Sequence, residues 1–449
     1  MSFHALFRSV CGLCVIAASG APLYGAAPVG ATPLSPQGAP RSVSPHLPVQ
    51  WQAGAFSTAI TPEKLLFMAG YASRKKPAEG KVQDLFAKAL ALEDEKGSRL
   101  VIVTLDLIGV PQSLRHNLAA NAAAKFGLLP ERLLLNASHT HSGPSLRTTP
   151  PPPLEDGGTV QMVDSYEYTQ KLEEKILATI GGALADLRPA RLTWNKARCG
   201  FAMNRRKDYT LPPEHPNANK APNPDGPVDH EVPALRVEAS DGTLRAALFG
   251  YACHNTSLGF FNYCGDYAGY AQEFLQEHRP GFTALFLMGC GGDQNPYPRR
   301  SDVVPGMTDL ELAQQHGRAL SNAVEVALSA NPRPVGGAIR AAYEEVELEY
   351  AKPGKAVHRY PVQVIKLGSD LTLVALGSEV VVDYSLRFKR ELAGAGGVWV
   401  AGYSNDYTGY IPSLRVLKEG GYEAAAGWAE SVEDRIAGKV HELYMRISE

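Results

Sequence analysis

The chain has 449 residues, a formal net charge of −2 and 45% hydrophobic residues. This composition is typical of a globular protein with one large domain or several smaller ones, and its scattered charges argue against a nucleic-acid partner. After about the first 25 residues, no stretch is long and apolar enough to span a bilayer.

The N-terminal segment predicts a secretory signal peptide. Arg8 precedes an apolar stretch over 10–18, and small residues follow it. We therefore predict a signal peptide over 1–27, a flexible Pro/Ser/Ala-rich leader over 28–48, and export to the periplasm or the extracellular space. A disordered tail without a targeting role is the alternative.

Four cysteines would remain after removal of the signal peptide: Cys199, Cys253, Cys264 and Cys290. One or two disulfides are compatible with export, although a chain of this size does not depend on them. None of the four belongs to a CxxC pair, which argues against a zinc site made of thiolates.

The rest of the chain alternates between strand-like and helix-like segments. In chain order we predict a strand over 99–110, a helix over 113–127 closed by Gly127, a strand over 132–138, a helix over 166–187, a hairpin of 231–240 and 244–254, a helix over 268–279, a strand over 283–293 that runs into a glycine-rich turn, a helix over 310–330, a hairpin of 362–368 and 371–382, and a strand over 398–405. Pro-rich stretches over 148–158 and 211–228 predict long loops. This mixture predicts an α/β fold with a mixed sheet flanked by helices.

Two histidines follow the apolar run at 133–135, in the stretch "NASHTHSGP". If the backbone there is extended, His139 and His141 point to the same side. They would then share a metal, or one would bind metal while the other moves protons. A surface loop without chemistry is the alternative.

Two further strands end in polar residues. His254 closes a hydrophobic strand in "YACHNTS", which is where open α/β sheets place their sites. The turn "GCGGDQNP" has Gly291 and Gly292 before Asp293, so its backbone could approach an anion; a tight structural turn is the alternative. The chain has neither a phosphate-loop motif nor a GxSxG motif.

A carboxylate and two tyrosines complete the set of candidates. Glu379 lies between two apolar runs, where an ionised side chain is costly unless it is paired or binds metal. Tyr407 and Tyr410 follow the last strand in "GYSNDYTGYIPS". Two histidines with one glutamate form a known catalytic zinc set that leaves a position for water.

Taken together and in this order, these segments resemble the N-terminal catalytic domain of the neutral/alkaline non-lysosomal ceramidase family. The segments that carry the resemblance are "MAGYASR", "SHTHSGP", "MNRR", "CHNTS", "GCGGDQNP", "GSE" and "NDYTGYI" with "GYE". The resemblance implies a ceramidase-like α/β domain over 49–449, for which we expect no additional C-terminal β domain. It also implies zinc-dependent hydrolysis of the amide bond of an N-acylated, sphingolipid-like substrate.

The resemblance also implies the residues of the site. The implied zinc ligands are His139, His254, Glu379 and Tyr410, with Tyr407 as the other candidate for the tyrosine. The implied catalytic residues are His141, Arg205, Tyr422 and the residue of the glycine-rich turn, Asn295, and to these we add Asp293 as a residue that orients a zinc-bound histidine. Water activated by Zn²⁺ would attack the carbonyl, with Arg205 or His141 stabilising the oxyanion.

Asn295 departs from the family, which carries a serine in this turn. Two alternatives therefore stay open: a zinc hydrolase of a non-sphingolipid amide or ester, and a catalytically silent secreted binding protein. We expect a small-molecule N-acyl substrate, no nucleic-acid partner and no transmembrane segment in the mature chain, with peripheral contact at a membrane surface as an option.

Overall fold

The structure is a computed structural model that describes residues 50–299, 304–394 and 396–448. The strands in these residues are β1 (Trp51–Ala59), β2 (Gly80–Lys81), β3 (Phe86–Glu93), β4 (Arg99–Leu105), β5 (Leu133–Ala137), β6 (Arg188–Arg198), β7 (Ala202–Asn204), β8 (Glu231–Ala239), β9 (Leu244–Tyr251), β10 (Asn262–Tyr263), β11 (Thr283–Met288), β12 (Gln294–Pro296), β13 (Arg333–Val335), β14 (Ile339–Leu348), β15 (His358–Leu367), β16 (Leu371–Leu376), β17 (Glu379–Val380), β18 (Gly397–Ala401) and β19 (Tyr410–Ile411). The helices are α1 (Gln112–Phe126), α2 (Val160–Ala185), α3 (Asp266–Gln276), α4 (Asp309–Ser329), α5 (Val382–Glu391), α6 (Leu414–Glu419) and α7 (Val432–Arg446).

A large mixed sheet forms the centre of this part of the chain. Its strands follow the order β11-β9-β8-β6-β1-β3-β4-β5, and β13 pairs with β6. The pairs β4–β5 and β9–β11 are parallel, whereas the pairs between them are antiparallel. The predicted α/β fold with a mixed sheet and flanking helices is confirmed.

A second sheet, in the order β14-β15-β16-β18, packs against one face of the first. Leu90 and Leu92 of β3 lie in one buried cluster with Leu373 of β16 and Trp399 of β18. The alternate residues of β3, Ala89 among them, face α1 and α2 on the other side. Helices α5 and α7 cover the outer face of the second sheet. The layers are therefore helix, sheet, sheet and helix.

Most predicted elements are present, with shifted ends. Helix α1 ends at Gly127, whose φ of 64° is the left-handed conformation of a helix C-cap. Both predicted hairpins form, and Gly242 in the first turn has a φ of 89°. Helix α2 begins earlier than predicted, because the Thr159 side chain accepts a hydrogen bond from the N–H of Met162 and caps it.

Some sequence predictions were wrong or incomplete. The strand predicted over 99–110 ends at Leu105, whereas the strand predicted to run into a glycine-rich turn over 283–293 ends at Met288, just before the first glycine of that turn. Five strands of the two main sheets, β1, β3, β6, β13 and β14, were not predicted. The predicted signal peptide and leader lie outside the described residues.

Two further observations bear on the sequence predictions. The four cysteines of the described chain, Cys199, Cys253, Cys264 and Cys290, are buried free thiols in this structure. None of the helices in the described part of the chain has the length and apolar character that a membrane crossing requires.

Candidate metal centre

The candidate site lies where several strands end. His139 follows β5 by two residues, and His254 follows β9 by three. Glu379 and Tyr410 come from β17 and β19, which pair in parallel and place these two residues directly opposite each other. Chain segments far apart in sequence therefore deliver their polar side chains to one point.

The backbone at the two histidines differs from the expectation. The segment is not extended, because β5 ends at Ala137 and His139 has a φ of 59°, in the left-handed region that non-glycine residues rarely adopt. Ser378, next to Glu379, has a φ of 60°. The His139 and His141 rings still meet, with centroids 4.7 Å apart and planes at 80°. Strained residues on both sides of one point are a common feature of functional sites.

Backbone carbonyls fix the orientation of two imidazoles. Nδ1 of His139 lies 2.7 Å from the carbonyl oxygen of Ile108, and Nδ1 of His254 lies 2.6 Å from that of Gly291. Since a carbonyl oxygen only accepts, each Nδ1 carries the proton and each Nε2 presents a lone pair.

Both lone pairs converge on one carboxylate oxygen. Oε2 of Glu379 lies 3.2 Å from Nε2 of His139 and 3.2 Å from Nε2 of His254. Lone pairs that face each other in a buried site need a cation between them. Two ligand atoms bound to Zn²⁺ at about 2.1 Å lie about 3.2 to 3.4 Å apart at near-tetrahedral angles. The residues present therefore fit a metal ion.

Two more side chains reach the same point. Nε2 of His141 lies 3.1 Å from Nε2 of His139, and the hydroxyl of Tyr410 lies 3.4 Å from Nε2 of His254. The ligand atoms of the three buried histidines all lie within 4.8 Å of one another, so His141 is itself close enough to be a ligand. The Tyr407 and His139 rings are 6.3 Å apart and the Tyr410 and His254 rings 6.2 Å apart, so the two tyrosines differ in the hydroxyl contact that Tyr410 makes with His254.

The electrostatics match the protonation states that a metal requires. Burial opposes ionisation of Glu379, but the contacts of its carboxylate with His139 and His254 outweigh this effect and hold the pKa of Glu379 well below its usual range. Burial, aided by the charge of Arg205, lowers the pKa of His254 to about 3. Burial likewise lowers the pKa of His141 well below its ordinary value. At neutral pH the imidazoles of His141 and His254 are therefore neutral and the carboxylate of Glu379 is ionised, as metal binding demands.

Arg205 lies beside this cluster. Its Nη1 lies 3.2 Å from Nε2 of His254, and its Nε donates to Glu423 at 2.8 Å. Its guanidinium stands 5.1 Å from the ring centroid of Tyr410 and 5.5 Å from that of Tyr422, which is itself 69% exposed at the rim. Its Nη2 is buried and has no hydrogen-bond partner among the described residues. This atom is a donor available to a substrate oxygen.

The glycine-rich turn contributes differently from the prediction. Asn295 lines the cavity in front of the cluster, and its buried Oδ1 has no partner within the described residues. Asp293 does not orient a histidine: its carboxylate accepts hydrogen bonds from the N–H of Val382 and from Asn204. Carbonyl groups take the place expected for it, so its predicted role is wrong.

The backbone of the same turn does not receive an anion. The N–H of Gly291 donates to the carbonyl of Gly289, and the N–H of Gly292 donates to the carbonyl of Val380. These glycines therefore form a tight structural turn, which was the alternative to an anion site. Their lack of a side chain allows close packing, since a Cβ at Gly292 would lie 2.6 Å from the carbonyl oxygen of Glu379.

Several site residues were not predicted. Glu423 accepts from both Arg205 and Arg206, and Tyr403 packs its ring 4.5 Å from that of His139. Arg74 donates to the carbonyl of His141 and supports the histidine loop. The signals in the sequence were the paired arginines of "MNRR", the "GYE" that contains Glu423, and the "GYASR" that ends in Arg74.

A cavity of about 500 Å³ opens above the cluster, lined by His141, Arg205, His254, Asn295, Tyr410 and Tyr422 together with residues that the sequence did not single out.

Comparison with known proteins gives a consistent result. The sequence profile of the family described as "Neutral/alkaline non-lysosomal ceramidase, N-terminal" matches residues 52–296. The chain is 25% identical over 230 residues to neutral ceramidase A of Dictyostelium discoideum, a match that covers 47% of this chain and 31% of that protein. It is 31% identical over 256 residues to neutral ceramidase of Drosophila melanogaster, covering 52% of this chain and 34% of that one. The matched region thus spans about a third of these curated relatives.

Solved structures share the fold. The structure of neutral ceramidase from Pseudomonas aeruginosa superposes with a TM-score of 0.73 at 19% identity, covering 88% of this chain and 74% of that one. A structure titled "Ceramidase complexed with C2" gives a TM-score of 0.70 at 18% identity, covering 88% of this chain and 76% of that one. Because the family profile matches more than half of the sequence, the chain belongs to the neutral/alkaline non-lysosomal ceramidase family.

Proposed function

We propose that this protein is a zinc-dependent amidohydrolase that cleaves the amide bond of an N-acylated, ceramide-like amine. The observation that carries the proposal is the convergence of the His139 and His254 Nε2 atoms on one oxygen of Glu379, each at 3.2 Å. Family membership supports the reaction class.

His139, His254, Glu379 and Tyr410 would hold the metal. Zn²⁺ held there supplies Lewis acidity, which activates water for attack on a carbonyl carbon. The protein supplies two imidazoles, those of His139 and His254, whose Nδ1 atoms are fixed by carbonyl groups, so the Nε2 atoms need no reorientation on binding.

Arg205 would stabilise the negative charge that develops on the carbonyl oxygen. Its Nη2 is the buried donor without a partner within the described chain, and Glu423 holds the guanidinium in place through Nε. A donor fixed before the reaction begins does not need to reorganise during it, and removing such a donor costs about 3 to 4 kcal/mol of transition-state stabilisation.

We assign His141 to proton transfer toward the leaving nitrogen. It lines the cavity, and its buried Nδ1 has no partner among the residues that the structure describes. A glycine at position 70 makes room for it, because a Cβ there would lie 2.4 Å from the imidazole ring. Its alternative role is that of a third histidine ligand, because its Nε2 lies 3.1 Å from Nε2 of His139.

We further propose that the protein is exported, with a signal peptide over 1–27, a leader over 28–48 and one catalytic domain over 49–449. The N-terminal pattern of Arg8 and an apolar stretch supports export. Mass spectrometry of the mature N-terminus tests it. A chain that retains Met1 and stays in the cytoplasm would refute it.

The function is tested by metal analysis together with hydrolysis. We expect one zinc per chain and release of fatty acid from N-acyl sphingosines or other N-acyl amines. His254→Ala should lose both zinc and activity, whereas His278→Ala, at a side chain that is 88% exposed, should lose neither. Protein without stoichiometric zinc would refute the metalloenzyme. Zinc-loaded protein that cleaves esters but no amide would favour the ester hydrolase, and cleavage of neither would favour the silent binding protein, an alternative that Asn295 keeps open.

A further inference from the structure

One arginine in the lining of the cavity above the metal centre forms no ion pair with any carboxylate of the described residues. Of its three lining arginines, Arg205 and Arg206 both pair with Glu423. Arg299 differs from them. Its Nε donates to the carbonyl of Thr256 at 3.2 Å, and none of the carboxylates in residues 50–299, 304–394 and 396–448 forms an ion pair with it. Among the described residues, Arg299 therefore gives the cavity lining around it a positive charge.

Arg299 lies near the reacting centre. It and Tyr71 line the same cavity as His141, and the Tyr71 ring stands 4.7 Å from the His141 ring. Burial raises the pKa of Tyr71, and the charge of Arg299 counters that effect, which places the guanidinium within electrostatic reach of the Tyr71 hydroxyl. The buried Asp266 also acts on Tyr71, but its carboxylate accepts from the N–H groups of Leu258 and Tyr267. A substrate anion bound to Arg299 would thus lie in the same cavity as His141, with Tyr71 next to both residues.

A second cavity of about 430 Å³ adjoins the first at Gly70 and Tyr71. The side chains that line it are apolar or aromatic apart from that of Ser145. They include Met68, Ala72, Ile108, Pro111, Leu146 and Tyr407. The absence of a side chain at Gly109 lets the Tyr407 ring form one wall, since a Cβ there would lie 2.3 Å from that ring. Gly70 and Tyr71 therefore separate the cavity that contains Arg299 and His141 from a cavity lined mainly by apolar and aromatic side chains.

We propose that the substrate is an N-acyl amine whose amine part carries a carboxylate, as in an N-acyl amino acid, with the carboxylate on Arg299 and the acyl chain in the apolar cavity. This inference rests on the proposed amidohydrolase function. One water is consumed: its oxygen bonds to the carbonyl carbon, the C–N bond breaks, and a proton passes to the nitrogen. The products are a fatty acid and a free amino acid.

A matched pair of substrates tests the inference. N-lauroylglycine and N-lauroylglycinamide differ only in the carboxylate, and N-lauroylsphingosine serves as the neutral lipid. We expect kcat/KM to be at least about tenfold higher for N-lauroylglycine than for the amide, because a charge-assisted hydrogen bond to Arg299 is lost in the latter. Arg299→Gln should remove this preference, so that kcat/KM for N-lauroylglycine and for N-lauroylglycinamide lie within about twofold of each other in the variant. Arg188→Gln, at a side chain that is 70% exposed, is the matched control.

Different results would refute the anionic substrate class and the amidohydrolase function. If the neutral substrates are cleaved as well as N-lauroylglycine and Arg299→Gln changes nothing, the anionic substrate class is wrong and the amidohydrolase stands. If no amide is cleaved, calorimetry with N-lauroylglycine still decides: binding that weakens at least about tenfold in Arg299→Gln supports the anion site, and equal or absent binding overturns it.

The acyl cavity has its own test. Leu146→Trp should fill the apolar cavity and shift the preference from N-lauroylglycine toward N-acetylglycine, whereas Leu146→Ala should not. Circular dichroism and the melting temperature check that both variants fold. A chain-length profile identical to that of the unchanged protein in a folded Leu146→Trp variant would overturn the placement of the acyl chain.

Discussion

Glu379 and His254 face each other through a carboxylate oxygen and an imidazole nitrogen that carries no proton, 3.2 Å apart in a buried site. The proton of His254 is on Nδ1, on the other side of the ring, and is donated to the carbonyl of Gly291. Two electron-rich atoms at this distance repel each other unless a cation joins them. This pair is therefore the strongest reason to regard the site as a metal centre.

Replacing Glu379 tests that pair directly. We expect Glu379→Gln to weaken zinc affinity by at least about 100-fold, because loss of an orienting neighbour of a ligand already costs 10- to 100-fold and Glu379 is itself placed as a ligand. Competition with a chromophoric chelator gives the affinity. His278→Ala is the control, and a Glu379→Gln protein with unchanged zinc affinity would remove Glu379 from the ligand set.

Removal of the metal should lower stability as well as activity. A ligand that binds only the folded state adds about 2.7 kcal/mol to the free energy of unfolding when present at 100 times its Kd. We expect a chelator to lower the melting temperature and added Zn²⁺ to restore it, with His254→Ala insensitive to both. Differential scanning calorimetry measures this, and equal melting temperatures with and without zinc would contradict it.

Arg205 should act on catalysis and not on metal content. We expect Arg205→Ala to lower kcat/KM by about 10²- to 10³-fold, the usual cost of one oxyanion donor, with zinc retained. Glu423→Gln should have a smaller effect, because it disturbs only the positioning of Arg205. Steady-state kinetics with parallel metal analysis separates the two, and zinc loss in Arg205→Ala would point to a structural role instead.

Asp293 gives a prediction about pH. Burial is the largest cause that raises its pKa from 3.8 to about 6, so between these values the folded state binds more protons than the unfolded state. The stability that this group contributes is full below pH 3.8 and is lost as the pH rises through about 6. We expect the unfolding free energy of the unchanged protein, minus that of Asp293→Asn, to fall by roughly 2 to 3 kcal/mol from pH 4 to pH 7. Urea titrations measure it, and a flat difference would refute the assignment.

The sequence predicts the fold class well and individual strands less well. Hairpins with Asp241-Gly242 and Ser369-Asp370 at their turns were predicted because turn chemistry is local. Strand β3 was missed because "FAKALALE" consists of residues that favour helices. It is a strand because β1 and β4 pair with it and both of its faces are buried, and this tertiary context overrides propensity.

In the site too, residues with a local sequence signal were predicted, whereas residues that meet only through the fold were not. His139, His254 and Glu379 were found because each follows or interrupts an apolar run, where a polar residue is conspicuous. Arg299 was missed because nothing in its local sequence shows that it meets the site in space. Tyr71 and Glu423 lie in "MAGYASR" and "GYE", two segments of the resemblance in which no role was assigned to them. The error about Asp293 has the same origin, since its partners Val382 and Asn204 are distant in sequence.

The most direct measurement is the position of the metal in crystals of the zinc-loaded protein, by anomalous diffraction at the zinc edge. We predict one strong peak about 2.0 to 2.3 Å from Nε2 of His139, Nε2 of His254 and a carboxylate oxygen of Glu379. A peak elsewhere, or no peak at this point in crystals grown with excess zinc, would contradict the metal centre.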